Sequence, residues 1–414
     1  VKIHKWAIAI LLWGFLFRAV SAIYLNMGFD ETYYYLYTQN LNLSYFDHPP
    51  LVALTAGIGV WLTGAVTPFT LRIGGVVLYT GTLIFAYLAS KKLFGDRTAT
   101  LTLAILTTIP IFQIAFGILT LPDNALMFFW MACLWVAAEE FFPSEQNDKY
   151  QPTYRLAIIG LCVGLAFLGK YHGLLLGGGL VLFCLLSRRH RVALFSKWTL
   201  AAIALFAIAI SPVLIWNAQH EWASFRFQSG RAVPTQGYNL ERLLGTILLA
   251  LLYLFPTFGI PLWWTSFRTV GELFANRQAK NNVDNHELAI AEDLLRNKQL
   301  LILCVSMPIF FGFTFMGGFI QVLPTWHMPG FFGATLLLGE RAAQVQLKRP
   351  KFIRNWIWGS GVAILPLLLI GLLHVHLGIA QKGGDQAIAG AFWEAKDDPS
   401  TQMIDIEQLR QAFI

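Results

Sequence analysis

The sequence predicts an all-α polytopic membrane protein with about eleven transmembrane helices and short juxtamembrane helices in its first extracytoplasmic loop. Three observations predict this class. The 414 residues are 56% hydrophobic and only 13% charged, with a mean hydropathy of +0.57, whereas a soluble domain carries about 25% charge. The apolar residues fall in runs near the ~20 residues that a spanning helix needs. The basic residues cluster between those runs, which is the topogenic pattern of a membrane protein and not a basic face for nucleic acid. The net charge of +7 therefore implies membrane lipid as a partner and no nucleic acid.

The runs cover 6–25, 69–90, 98–118, 124–142, 156–169, 172–187, 198–217, 243–266, 299–318, 328–340 and 355–376. The first lacks a small-residue cleavage site and reads as a retained span. Six clusters set the orientation: Lys2/Lys5, Lys91-Lys92/Arg97, Lys149/Arg155, Arg188-Arg189/Arg191/Lys197, Arg268/Arg277/Lys280/Arg296/Lys298 and Arg341/Lys348/Arg349/Lys351/Arg354. They hold 21 of the 30 Lys+Arg, and all share one side if the N-terminus is cytoplasmic.

Two segments fix that parity. Leu51–Gly64 is apolar but short, and runs of this length lie along an interface or re-enter. Counting it as a span would move Lys91, Lys92 and Arg97 outside, so it is laid on the outer surface. Leu156–Leu186 is broken by Lys170-Tyr171-His172. One helix of that length would run about 46 Å, beyond the ~30 Å hydrocarbon core. A hairpin of two short helices satisfies both length and charge. Residues 1–376 then form a transmembrane catalytic domain with a first outer loop at 26–68, and 377–414 an extracytoplasmic tail. Thr401–Ile414 has helical apolar spacing and ends without a polar cap, as expected of a truncated chain. No internal repeat is present, which disfavours an inverted-repeat transporter. Cys133, Cys162, Cys184 and Cys304 lie in apolar runs without CxxC spacing and read as core residues.

The informative polar residues collect on the outer side, where ionisable groups near a membrane mark function. Gly28–Leu51 carries Asp30-Glu31, a tyrosine-rich stretch including Tyr34, and Asp47-His48 before Pro49-Pro50. Asp30 reads as a general base or as the N-cap of the helix that follows. The two prolines start the next helix and present Asp47 and His48 at a rigid turn. Glu31, Asp47, His48 and His327 are candidate ligands for a divalent ion, without HxxH or HExxH spacing; no cofactor is certain. Asp123, in Leu121-Pro122-Asp123-Asn124, either caps a helix or meets substrate. Lys170 in the short hairpin needs a phosphate or a carboxylate, Asp30 or Asp123. Tyr171, His220, Trp326 and His327 are pocket candidates. Arg226 and Arg231 suit an anion clamp or lipid snorkelling. Gly177-Gly178-Gly179 permits close helix packing. GxxxxGK[ST] and GxSxG elements are both missing.

FDETYYY…YFDHPPL, LPDNALMFFW, GLAFLGKYHGLLL, PVLIWNAQHEWASFRFQSGR and LPTWHMPGFFG resemble motifs of the bacterial dolichyl-phosphate-mannose-protein mannosyltransferase-like glycosyltransferases. These are GT-C enzymes related to protein O-mannosyltransferases and lipid A aminoarabinose transferase. The resemblance runs in order from about residue 28 to 335, and weakly to Asp398-Pro399-Ser400. It implies a GT-C-type fold, a polyprenyl-phosphate-linked sugar donor, an envelope acceptor (lipid A or lipopolysaccharide, another glycan, or protein), and inverting transfer on the extracytoplasmic face of a bacterial inner membrane. It implies Asp30 as base, Lys170 as donor-phosphate contact, and Arg226 and Arg231 as weaker phosphate contacts. The rival readings are a transporter or flippase of lipid-linked sugar, which needs no base, and a polymerase or ligase acting on polyprenyl diphosphates.

Overall fold

The computed structural model describes residues 4–143, 149–234, 237–278, 286–381, 392–398 and 400. Among them are fifteen α-helices: α1 Lys5–Tyr24, α2 Phe29–Gln39, α3 Leu51–Thr63, α4 Pro68–Phe94, α5 Asp96–Leu106, α6 Asp123–Phe141, α7 Arg155–Gly169, α8 Gly173–Leu186, α9 Lys197–Gln219, α10 Ala223–Ala232, α11 Leu240–Tyr253, α12 Pro256–Gln278, α13 His286–Met316, α14 Pro324–Lys348 and α15 Pro350–Leu377. The described residues contain no β-strand.

Every apolar run contains helix. By length and composition α1, α4, α9, α13 and α15 can each cross a membrane, and α11 with α12 adds a sixth as a bent pair. The protein is a multi-pass membrane protein. Two runs read as single spans are interrupted. Run 243–266 bends by 115° between α11 and α12, where Phe255 takes a positive φ of 64° just before Pro256, a position that disfavours helix. Run 98–118 leaves α5 at Leu106 and resumes around a π-turn at Phe112–Phe116, because Pro110 cannot continue an α-helical hydrogen-bond ladder. The hairpin of 156–186 forms as α7 and α8, broken at Lys170–His172. The expected helical tail Thr401–Ile414 lies outside the described residues.

Local chemistry sets the boundaries. Thr67 accepts from Thr70 N at 3.1 Å to open α4, with Pro68 at its first position. Gly64 closes α3 in the left-handed conformation at φ 69°. In the core, α4 packs on α6, α6 on α7, α7 on α9, and α13 on α14. α3 meets α4 at mutual glycines: a Cβ on Gly59 would lie 2.1 Å from the Thr70 carbonyl, and one on Gly74 2.1 Å from the Thr55 carbonyl. That close crossing holds the first-loop helices against the bundle. The fully buried Arg18 guanidinium donates to Gln113 Oε1 at 2.9 Å and to Thr80 Oγ1 at 3.1 Å, joining α1 to the π-turn.

Candidate active site

α2 opens with Gly28 as N-cap, so Asp30 stands in the first helical turn and is not the cap. Among the described residues its exposed carboxylate has no hydrogen-bond or ion-pair partner. Glu31 is the opposite. It is 1% exposed and accepts from Arg72 Nε at 2.7 Å, Arg72 Nη2 at 2.5 Å, Gly28 N at 3.0 Å and Thr120 N at 2.9 Å. The Arg72 guanidinium also donates to the carbonyls of Ala22, Leu25 and Asn26. Glu31 therefore braces α1, α2, α4 and the 120 turn, and its lone pairs are committed. The expectation of Glu31 as a pocket wall or metal ligand gives way to this bracing role. Arg72 was missed by sequence reasoning; its signal was a charge inside an apolar run, which demands a partner.

Asp47 is held by Tyr37, whose hydroxyl donates to Oδ1, and more loosely by Tyr33 at 3.4 Å. Tyr37 stacks on Tyr45 with ring centroids 3.7 Å apart. The tyrosines thus form a scaffold for the Asp47-His48 turn. Pro50 is the N-cap of α3, one residue earlier than a first helical position. Tyr34 is buried and meets His48 edge-on at 5.6 Å; burial and the nearby Asp30, Asp47 and Asp123 carboxylates push its phenol well above the ordinary range.

Asp123 begins α6 but makes no cap bond. Asn124 Oδ1 takes the local bond from Leu121 N at 2.8 Å. The Asp123 oxygens instead receive Lys170 Nζ at 3.0 and 2.8 Å, both residues being buried. Lys170 also lines a cavity of about 170 Å³ with His48, Tyr171, His172, Gln228, Arg231 and Trp326. Arg231 lies over the Trp326 ring at 5.0 Å and the Phe227 ring at 5.4 Å. α10 closes this side: Gln228 Nε2 donates to the Asp47 carbonyl at 2.6 Å, and Tyr171 and Ser224 hydroxyls share a 2.5 Å bond. Gln228 and His172 line the cavity, and Ser224 ties α10 to Tyr171, so this wall depends on α10.

Asp30, Glu31, Tyr34, Asp47 and Asp123 are outside the cavity lining, and so are three further expected residues. Arg226 is exposed, 3.5 Å from an exposed Glu221. His220 is exposed and stacks on Trp216 at 4.0 Å. His327 is buried against Phe331, and neither ring nitrogen has a partner among the described residues. The four metal candidates are not gathered: only Asp47 and His48 approach, at 3.7 Å, and among the described residues no group of three His, Cys, Asp or Glu is placed to hold an ion.

Desolvation raises the Asp30 carboxyl above its ordinary value, Asp47 and Glu31 add to the rise, and Lys170 opposes it. Burial lowers His48 to about 4, against Asp47, with Lys170 and Arg231 adding to the fall. The site therefore combines an unpaired carboxyl group, an imidazole that is neutral at pH 7 and two basic side chains, one of them already paired. That set suits proton abstraction beside a bound anion.

Residues 47–216 match the family described as dolichyl-phosphate-mannose-protein mannosyltransferase. The chain is 24% identical over 338 residues to lipid A galacturonosyltransferase RgtD of Rhizobium johnstonii, covering 81% of this chain and 64% of RgtD. Its fold is the GT-C fold. It aligns with ArnT of Cupriavidus metallidurans bound to undecaprenyl phosphate at a TM-score of 0.55 and 18% identity, over 90% of this chain and 64% of ArnT. It aligns with the oligosaccharyltransferase AglB of Archaeoglobus fulgidus, in complex with an inhibitory peptide and a dolichol-phosphate, at 0.53 and 12%, over 97% of this chain and 56% of AglB. The chain thus spans less than two thirds of each of these relatives.

Proposed function

We propose that the protein is an inverting glycosyltransferase that moves a sugar from a polyprenyl-phosphate donor to an envelope acceptor. The observation that carries this reading is Asp30, a carboxylate without a hydrogen-bond or ion-pair partner among the described residues, which feels the charge of Lys170, while Lys170 and Arg231 line the cavity. The acceptor hydroxyl attacks the anomeric carbon, a new C–O bond forms, and its proton passes to Asp30. The bond from that carbon to the phosphate oxygen breaks, and the departing polyprenyl phosphate takes the electron pair. Lys170 and Arg231 offset the charge that develops on it.

In this reading 1–376 is the catalytic domain, the N-terminus is cytoplasmic, and the cavity faces outward at the level of the lipid phosphate. The acceptor is lipid A, another envelope glycan or a protein. The family match and RgtD favour transfer over transport of a lipid-linked sugar. The test supplies purified protein with polyprenyl-phosphate sugar and envelope acceptor, and follows free polyprenyl phosphate. Wild type releases it only with acceptor present, while Asp30→Asn inserts normally and releases none. Normal turnover by Asp30→Asn overturns the assignment of the base; donor movement across vesicles without release supports the transporter instead.

A further inference from the structure

The cavity holds two kinds of group, and the donor's phosphate accounts for only one. Lys170 and Arg231 are cations suited to phosphate. His48 and His172 also line it, and each keeps one buried ring nitrogen without a partner among the described residues, Nδ1 of His48 and Nε2 of His172. Buried polar nitrogens are ordinarily satisfied, so a pair of orphans in one cavity points to a ligand. Both rings are oriented by packing. His172 stacks on Phe313 at 5.0 Å and meets Trp326 at 6.2 Å. His48 sits edge-on to Tyr34 at 5.6 Å, beside the Asp47 carboxylate.

Next to two cations, a third and fourth positive charge would be repelled. Imidazoles in this setting are neutral, with one N–H donor and one acceptor nitrogen each. Sugar hydroxyls both donate and accept, so they match such groups; a phosphate offers only acceptors at neutral pH. Trp326, shared by the His172 contact and the Arg231 cation–π pair, places the His172 imidazole beside Arg231, and His48 and Lys170 line the same cavity. A sugar attached to that phosphate would lie there.

We propose that His48 and His172 form the subsite for the transferred sugar, hydrogen-bonding its ring hydroxyls and orienting the anomeric carbon, while Lys170 and Arg231 hold the phosphate. The inference rests on the donor class given under Proposed function. They are positioning residues, with Asp30 left as the base.

The experiment compares two ligands on the intact protein in detergent: polyprenyl phosphate, and the same lipid carrying its sugar. His172→Phe and His48→Gln weaken binding of the sugar-bearing lipid roughly tenfold each, while polyprenyl phosphate binds as in wild type. His172→Gln, which restores an amide donor and acceptor, recovers part of the loss. Equal weakening of both ligands assigns the histidines to phosphate binding or to folding and overturns the subsite. Unchanged binding of both also overturns it. If wild type binds neither lipid, the donor class itself is wrong, an outcome separate from either of these. Should His172→Phe fail to fold, the same comparison is made with His172→Gln alone, and equal weakening of both ligands again overturns the proposal.

Discussion

Lys170 Nζ bridges both carboxylate oxygens of Asp123, at 3.0 and 2.8 Å, across a sequence separation of 47 residues. The pair ties the α7–α8 turn to the start of α6 and leaves Lys170 at the cavity edge. A buried ion pair loses about 3–5 kcal/mol when one partner is removed, because the other charge stays uncompensated. Lys170→Ala therefore lowers thermal stability and weakens polyprenyl-phosphate binding more than acceptor binding. Asp123→Asn also lowers stability, but it releases the ammonium and keeps phosphate binding at or above the wild-type level. Titration of both variants separates a phosphate contact from a purely structural pair; parallel loss in both makes the pair structural.

The Glu31–Arg72 brace yields a second prediction. Its side chains are 2% and 0% exposed, and four donors converge on the carboxylate. Glu31→Ala and Arg72→Ala each cost about 3–5 kcal/mol, measured as a fall in unfolding temperature in detergent. Arg72→Lys fares little better, because an ammonium cannot reproduce the two-pronged contact together with the bonds to carbonyls at the end of α1. Chelators leave the Glu31 contribution unchanged. A Glu31→Gln protein of wild-type stability removes this account.

These two neighbours show what was legible. Each apolar run contained helix, because hydropathy is a local property, although two of the runs read as single spans are interrupted. The hairpin at Lys170 was legible from length and charge alone. Asp30 and Glu31 could not be told apart locally: what separates them is Arg72, 41 residues further on. Lys170 was read as needing a phosphate or one of two carboxylates, and that Asp123 rather than Asp30 is the partner depends on how α6 meets the α7–α8 turn. The bend at Phe255 was hidden inside a continuous apolar run, with Pro256 as the only local sign. Arg226 and Arg231 sit five residues apart on α10, yet only Arg231 reaches the cavity. That choice depends on how α10 docks, through Gln228 and Ser224, and not on composition.

The charges around Asp30 give a third prediction, on pH. Its folded carboxyl titrates above the ordinary value of 3.8, so transfer rises with pH through that raised value and levels off beyond it. Asp47 contributes to the rise and Lys170 opposes it. Asp47→Asn therefore moves the acid limb of the rate profile to lower pH, and Lys170→Met moves it higher. A raised carboxyl also means that folding stability declines as pH climbs from the unfolded value through the folded one. Asp30→Asn removes that decline, so the inactive variant is at least as stable as wild type at neutral pH. An acid limb that ignores both charge changes argues against Asp30 as the titrating base.

Adjacent glycines on α8 give the last prediction. Gly179 faces α13: a Cβ there would lie 2.6 Å from the Cys304 carbonyl oxygen and 2.8 Å from Val305 Cα. Gly178, its neighbour, has nothing within 4 Å. The close approach that the triple glycine suggested is thus concentrated at Gly179, with Gly177 tighter only against Val163 Cγ1 at 3.1 Å. Backbone atoms cannot step aside as a flexible side chain can, so Gly179→Ala pushes α8 from α13 at a cost of about 1–3 kcal/mol. Gly178→Ala meets no obstacle and removes a flexible residue from a helix, a gain of roughly 0.5–1 kcal/mol in water that is smaller in a bilayer. Unfolding temperatures of the two variants in detergent should therefore fall on opposite sides of wild type, or Gly178→Ala should match it. Because α8 follows directly on His172, Gly179→Ala should also weaken donor binding while Gly178→Ala leaves it intact. Equal stability of the two variants would mean that α8 and α13 do not pack at this distance.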